Sequence, residues 1–336
     1  MTKFKAIVIL LIVASIGITA GIILYEKSKK YDVSIGYLTG DIHHLPFFIA
    51  EYKGFFKDEG LNVTSYQFQN GNLVMNAFES STRNIDMAYL GFAPAVVHRI
   101  TNENANIKVV ASVNVNGSSI VVKNNGSINS ISDLVGKKIA IPSYNTMQDF
   151  ILRMTLESEN ISYDDVTKME MFVSQMKIAL ESGSIDGYVA WEPFCALSIN
   201  NGTGKYLVNS SQIWPDHPCC IVSVHNEFLK QKPEIVKKVL KAHVRAVNFI
   251  NDPKNYEEVI NIAVEKLGLS ENVIKMALRN VGYIYTPNLN TMTEFIQKLI
   301  DFGVVSLPGS YLPPNINTAS NFVNYFVSTT ILSEVV

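Results

Sequence analysis

The chain has 336 residues, 47% of them hydrophobic, with 28 basic and 30 acidic side chains and a formal net charge of −2. That length holds one large domain or two medium ones with a real core, and charges so evenly matched, with no basic block, exclude the electrostatic footprint of a nucleic-acid binder. The three cysteines, Cys195, Cys219 and Cys220, are an odd number without a C-x-x-C, so neither a disulfide framework nor a metal site is read from their spacing.

The amino terminus comes first in chain order. After Lys3 and Lys5 an apolar run extends from Ala6 to Leu24, followed by the basic stretch Tyr25 to Lys30. The run is long enough to span a bilayer and longer than the roughly 7–15 apolar residues of a cleavable signal. Residues 1–30 therefore read as a signal peptide or an uncleaved membrane anchor, the run length favouring the anchor. No cysteine lies near the end of the run to carry a lipid. Either way the body is exported, and N-x-[ST] sequons, such as those at Asn62 and Asn160, are compatible with a glycosylated surface.

From Tyr31 short apolar runs alternate with longer helical stretches, the pattern of an α/β fold with mainly parallel strands. Strands are predicted at 33–38, 61–68, 85–90, 108–115 and 119–123, with helices at 46–53, 72–80 and 95–101 between the earlier ones. A second unit begins near Asn124, with strands at 138–142 and 183–193 and helices at 145–160 and 175–182. The run 221–224 reads as a strand returning to the first unit, holding Cys219 and Cys220 as small buried hydrophobes beside it. Helices then follow at 233–250, 255–267, 271–281 and 291–302, the first with an apolar stripe of Ile235, Val239, Val247 and Ile250. Two crossings, near 118–124 and 220–225, divide the chain into one lobe of 31–120 with 223–336 and another of 121–222.

Motifs for serine or zinc hydrolysis, nucleotide hydrolysis and dinucleotide binding do not occur in the sequence. The pair His43-His44 precedes Pro46 in a strand-to-helix loop and reads as solvated or ligand-touching rather than as a metal site. What the sequence does offer is three similar strand endings that open helices: Asp41 to Pro46, Gly91 to Pro94, and Pro142 to Thr146. Ligands of α/β sheets bind at such strand ends, and helix amino termini favour anions. Each ending alone reads as an ordinary cap or helix start; together they point to a cleft. The strand 183–193 ends on Trp191-Glu192-Pro193, which places a flat apolar face and a hydrogen-bond acceptor at the same edge.

The segments PFFIAEYKGFFKDEGLNV, IDMAYLGFAPAV, ISDLVGKKIAIPSYNT and ALESGSIDGYVAWEPF resemble the nitrate, sulfonate, taurine and thiamine-pyrimidine group of substrate-binding proteins of ABC importers. The likeness runs from about Tyr31 to Ile250. It implies a periplasmic-binding-protein fold of the second type, with two α/β lobes on a two-stranded hinge, and a monomer that captures a small organic solute and hands it to a permease and its ATPase. No catalytic residue, metal or cofactor is implied. The positions matching the family's pocket are His44, Leu45, Pro46, Gly91, Phe92, Ala93, Ser143, Tyr144, Asn145, Thr146, Trp191 and Glu192; His43 joins them from the loop reading. A sulfonate or taurine-like solute is expected first and a thiamine-precursor pyrimidine second. An enzyme of the thiamine-pyrimidine synthase type and an anchored sensor domain are the rival readings.

Overall fold

The computed structural model describes residues 31–82 and 85–336. The expected signal or anchor in 1–30 lies outside them. Among the described residues no helix is long and apolar enough to cross a membrane.

The strands form two sheets. Along the chain they are β1 (Val33–Leu38), β2 (Val63–Phe68), β3 (Met87–Gly91), β4 (Ile107–Asn116), β5 (Ser118–Lys123), β6 (Lys138–Ile141), β7 (Thr167–Glu170), β8 (Gly187–Trp191), β9 (Gly204–Asn209), β10 (Pro218–His225) and β11 (Val281–Tyr283). The first sheet has the order β11-β4-β10-β3-β1-β2 and the second β7-β6-β8-β5-β9. The chain passes to the second sheet at Gly117 and returns between Asn209 and Pro218.

The expected parallel pairing holds for β1 with β2 and β3, and for β6 with β7 and β8. It fails at the crossings, where β10 runs antiparallel to β3 and β4, and β5 antiparallel to β8 and β9. These strands arrive from the other sheet rather than through a β-α-β crossover, so the geometry that forces parallel neighbours does not act on them.

Helices cover the sheets. Those that matter for the site are α1 (Leu45–Tyr52), α2 (Gly71–Glu79), α3 (Phe92–Thr101) and α4 (Met147–Ser158). The carboxyl-terminal part adds α5 (Pro233–Asn251), α6 (Glu271–Leu278) and α7 (Leu289–Asp301). α1 buries Leu45, Phe47 and Ile49 and carries Pro46 in its first turn, where no intrahelical N–H bond is needed. α5 packs on α1, but its buried stripe is Val236, Val239, Leu240, His243 and Val247. Ile235 and Ile250, expected on that stripe, are only half-buried. α6 stops at Leu278 instead of 281, because Val281–Tyr283 pairs with β4 at the edge of the first sheet.

Candidate functional site

Between the two sheets lies a cavity of about 20 Å³, room for one water-sized occupant. Its walls are helix amino termini. α2 contributes its first residue, Gly71; α3 contributes Gly91, the residue before its first turn, and Pro94; α4 contributes its cap Thr146 and then Met147 and Gln148. Thr146 stops the backbone entering α4 by accepting a hydrogen bond from the Asp149 N–H through its hydroxyl. Gln148 is held by donating to the Ser118 hydroxyl at 2.9 Å. Three helix ends thus direct positive partial charge at one small space. Trp191, the last residue of β8, also lines it; the residue is 3% exposed and its Nε1 has no hydrogen-bond partner among the described residues.

The floor is made by Asp41, His43, Cys219 and Cys220. Asp41 caps a short helical turn by accepting from the His43 N–H at 2.9 Å, which turns the His43 ring inward. A backbone carbonyl can only accept, so the 3.0 Å contact between His43 Nε2 and the Gly117 oxygen makes Nε2 the donor. The other ring nitrogen, Nδ1, then faces Cys219 Sγ at 3.6 Å, Cys220 Sγ at 3.8 Å and Asp41 Oδ1 at 3.5 Å. Neighbouring residues of a regular strand point to opposite faces. Here the ladder between β10 and β4 is irregular at Pro218/Cys220 and again at Cys220/Ile221, and both sulfurs turn to the same ring. Such irregularities re-aim side chains beside functional sites.

Electrostatics tie this floor together. Burial pushes the Asp41 carboxyl up to about 7, against the pull of His43. Burial alone would lower His43, but Asp41 and Cys219 outweigh it and raise the imidazole to about 9. Cys219 is held well below the ordinary thiol value by a hydrogen bond from Cys220 and by the His43 charge, while burial pushes Cys220 well up. The cluster thus favours negative charge on Cys219 over Cys220 and positive charge on His43.

Of the residues expected in the pocket, His43, Gly91, Thr146 and Trp191 line the cavity. The histidine pair is buried, at 1% and 0% exposure, rather than solvated. His44 does not line the cavity but stands beside its floor: its Nδ1 accepts from the Leu38 N–H at 3.0 Å, its ring lies against Tyr89, and its Nε2 lies 3.9 Å from Asp41 Oδ2. Leu45 and Pro46 are core residues of α1, and Phe92 and Ala93 pack inward, Phe92 against Phe295 of α7. Ser143 accepts from Asn72, Tyr144 is 40% exposed, and the Asn145 N–H donates to Asp149. Glu192 corrects the expectation of an available acceptor. It is wholly buried, and its carboxylate already accepts from the Ala196 N–H, the Tyr206 hydroxyl and Asn280.

The sequence reading missed Asp41 and the two cysteines as partners of His43. Asp41 stands two residues before His43, a spacing that was visible; the cysteines are 176 residues away along the chain, and only the sheet crossing joins them. Met147 and Gln148 had no signal beyond their place in a helical run, and Gly71 only its place just before one.

Residues 26–264 match the sequence pattern of the NMT1-like family. The chain belongs to this family. It is 27% identical over 247 residues to the taurine-binding periplasmic protein of Escherichia coli K12, covering 70% of this chain and 73% of that protein. Among solved structures, the periplasmic nitrate-binding protein NrtA of Synechocystis PCC 6803 superimposes with a TM-score of 0.76 at 18% identity, covering 90% of this chain and 87% of that one. The alkanesulfonate-binding protein SsuA of Xanthomonas axonopodis pv. citri, bound to MOPS, gives 0.73 at 16% identity, covering 88% and 97%. These likenesses establish the fold of this family member as that of the periplasmic binding proteins, two α/β sheets with a cleft between.

Proposed function

We propose that this NMT1-like protein is the extracytoplasmic solute-binding component of an ABC importer, working with a permease and its ATPase. The segments 31–120 with 223–336 and 121–222 act as lobes that part at the two sheet crossings, admit a solute, and close on it. The observation that carries this reading is the convergence of three helix amino termini and the unpartnered Trp191 Nε1 on one buried cavity. That set of donors suits the oxygens of an anionic head group, and a sulfonate or taurine-like solute agrees with what the similar proteins are named for. A cavity of about 20 Å³ is too small for such a solute, so capture requires the sheets to separate first. Hinge opening and closure about a few backbone positions is a known device for this.

Thermal unfolding of the full chain against taurine, alkanesulfonates, nitrate and thiamine pyrimidines tests the proposal. A specific solute at a hundred times its Kd adds about 2.7 kcal/mol of stability. Trp191→Ala should weaken binding of that solute at least tenfold, about 1.4 kcal/mol. Folded protein that no member of the panel stabilises would overturn the assignment of solute class.

A further inference from the structure

We propose that His43, Cys219 and Cys220, with Asp41 beside them, hold a thiophilic metal ion of the zinc class at the floor of the cavity. The inference does not depend on the solute reading, because the donor atoms are gathered whether or not a solute is captured.

In a tetrahedral complex with Zn–S about 2.3 Å and Zn–N about 2.0 Å, two sulfurs stand about 3.8 Å apart and a nitrogen and a sulfur about 3.5 Å apart. The two sulfurs here are 4.0 Å apart, and His43 Nδ1 is 3.6 and 3.8 Å from them. Those are the edges of a coordination tetrahedron. Asp41 Oδ1 lies 3.5 Å from Nδ1, and an Asp41 carboxylate oxygen lies within 4.8 Å of Cys220 Sγ, so the carboxylate stands beside the three donors. Two thiol sulfurs and an imidazole nitrogen select soft or borderline ions over calcium or magnesium.

Three further features independently favour an ion. The Gly117 carbonyl takes the proton of His43 Nε2, which fixes the ring and leaves Nδ1 to the sulfurs; ligating histidines are commonly oriented by such a second partner. The irregular ladder of β10 is what turns two adjacent cysteines to one side. Finally, a divalent ion with two thiolates and a carboxylate carries one net negative charge, which the helix ends of α2, α3 and α4 around the same cavity stabilise. The space there is that of an ion or a water.

The test uses the full chain, reduced, stripped with a chelator, and titrated with Co²⁺ and then Zn²⁺. One equivalent of Co²⁺ should produce a sulfur-to-cobalt charge-transfer band in the near ultraviolet with the visible bands of tetrahedral cobalt, and one equivalent of Zn²⁺ should abolish both. Cys219→Ser and Cys220→Ser should each reduce the charge-transfer band by about half and weaken Co²⁺ binding at least tenfold, and His43→Gln should weaken binding by a similar factor without halving the band per bound ion. Wild-type protein without the band overturns the proposal whatever the variants do, as does a band that survives in the double serine variant or a cysteine pair that returns as a disulfide under the reducing titration. Repeating the solute panel with chelator present separates the two readings. Solute stabilisation without any cobalt band defeats the metal site alone, and a cobalt band without solute stabilisation defeats the solute class alone.

Discussion

At the scale of single residues, Gly117 sets the geometry of the cleft. Its φ of +91° lies in the left-handed region, and a Cβ added there would stand 2.2 Å from His43 Nε2 and 2.9 Å from Val281 Cγ2. Gly183 also has a positive φ, +76°, but open space around its missing Cβ. Gly183→Ala should therefore cost only the backbone penalty, about 1 kcal/mol, whereas Gly117→Ala must in addition displace a buried, hydrogen-bonded ring and should cost at least about 3 kcal/mol. Urea denaturation of the two variants measures the difference, and equal costs would mean that the close approach of His43 carries no energy. Single residues were also where the sequence was hardest to read. Trp191 at a strand end was recognisable because residue type and position agreed. Glu192 beside it looks like a free acceptor in the sequence, since nothing local announces that Tyr206 and Asn280 occupy its carboxylate. His43 was placed in the site without its chemistry, because the cysteines that define that chemistry come from β10.

At the scale of elements, short apolar runs located β1, β3 and β6, which are buried on both faces, and helical periodicity located α2 and α5, which bury one stripe, each to within a few residues. The direction of β10, its irregular ladder and the three-residue β11 were not legible, because they depend on which sheet the returning chain joins. The docking of α5 shows how such elements are locked. His243 Nε2 donates to the Ser112 carbonyl of β4 at 2.8 Å, and Nδ1 accepts from the Tyr89 hydroxyl of β3 at 3.1 Å. Burial lowers this histidine from 6.5 to about 4. The folded state thus disfavours the protonated ring, so its contribution is fully present above pH 6.5 and is lost as pH falls from 6.5 through 4. The whole step is about 3 kcal/mol. His243→Gln should remove that slope from the pH dependence of unfolding free energy, whatever its effect at pH 7; an unchanged slope between pH 6.5 and 4 would show that the histidine is not held neutral. In α7, Phe295 lies against Phe92 of α3 at 5.3 Å, Phe150 of α4 at 4.3 Å and Trp214 at 6.4 Å. Phe295→Ala should cost about 3–5 kcal/mol, readable by the same denaturation. A loss under 1 kcal/mol would mean that the cluster collapses onto the space.

At the scale of the whole molecule, polar contacts span the cleft beside the aromatic contacts of Phe295 with Phe150 and Trp214. Asn72 in α2 donates to the Ser143 hydroxyl at 2.9 Å and the Tyr144 carbonyl at 3.1 Å, and on the other side of the cavity Glu192 accepts from Asn280 at 2.7 Å. The Asn72 contacts lie at the half-exposed edge of the cleft, where each hydrogen bond is worth about 1 kcal/mol net. On the proposed function they join segments that opening would separate, while opening would keep the hydrogen bonds inside each sheet. Asn72→Ala should therefore leave each sheet intact and shift the balance toward the open form. Apparent affinity scales with the fraction of protein able to hold the solute closed, so a loss of about 2 kcal/mol on the closed side predicts weaker binding, up to about thirty-fold where the closed form is the minor state before solute binds. Small-angle scattering of the same variant without solute should show a larger radius of gyration than wild type. An unchanged radius together with an unchanged Kd would mean that these contacts do not govern closure, and the aromatic cluster around Phe295 would then be the contact that keeps the sheets together.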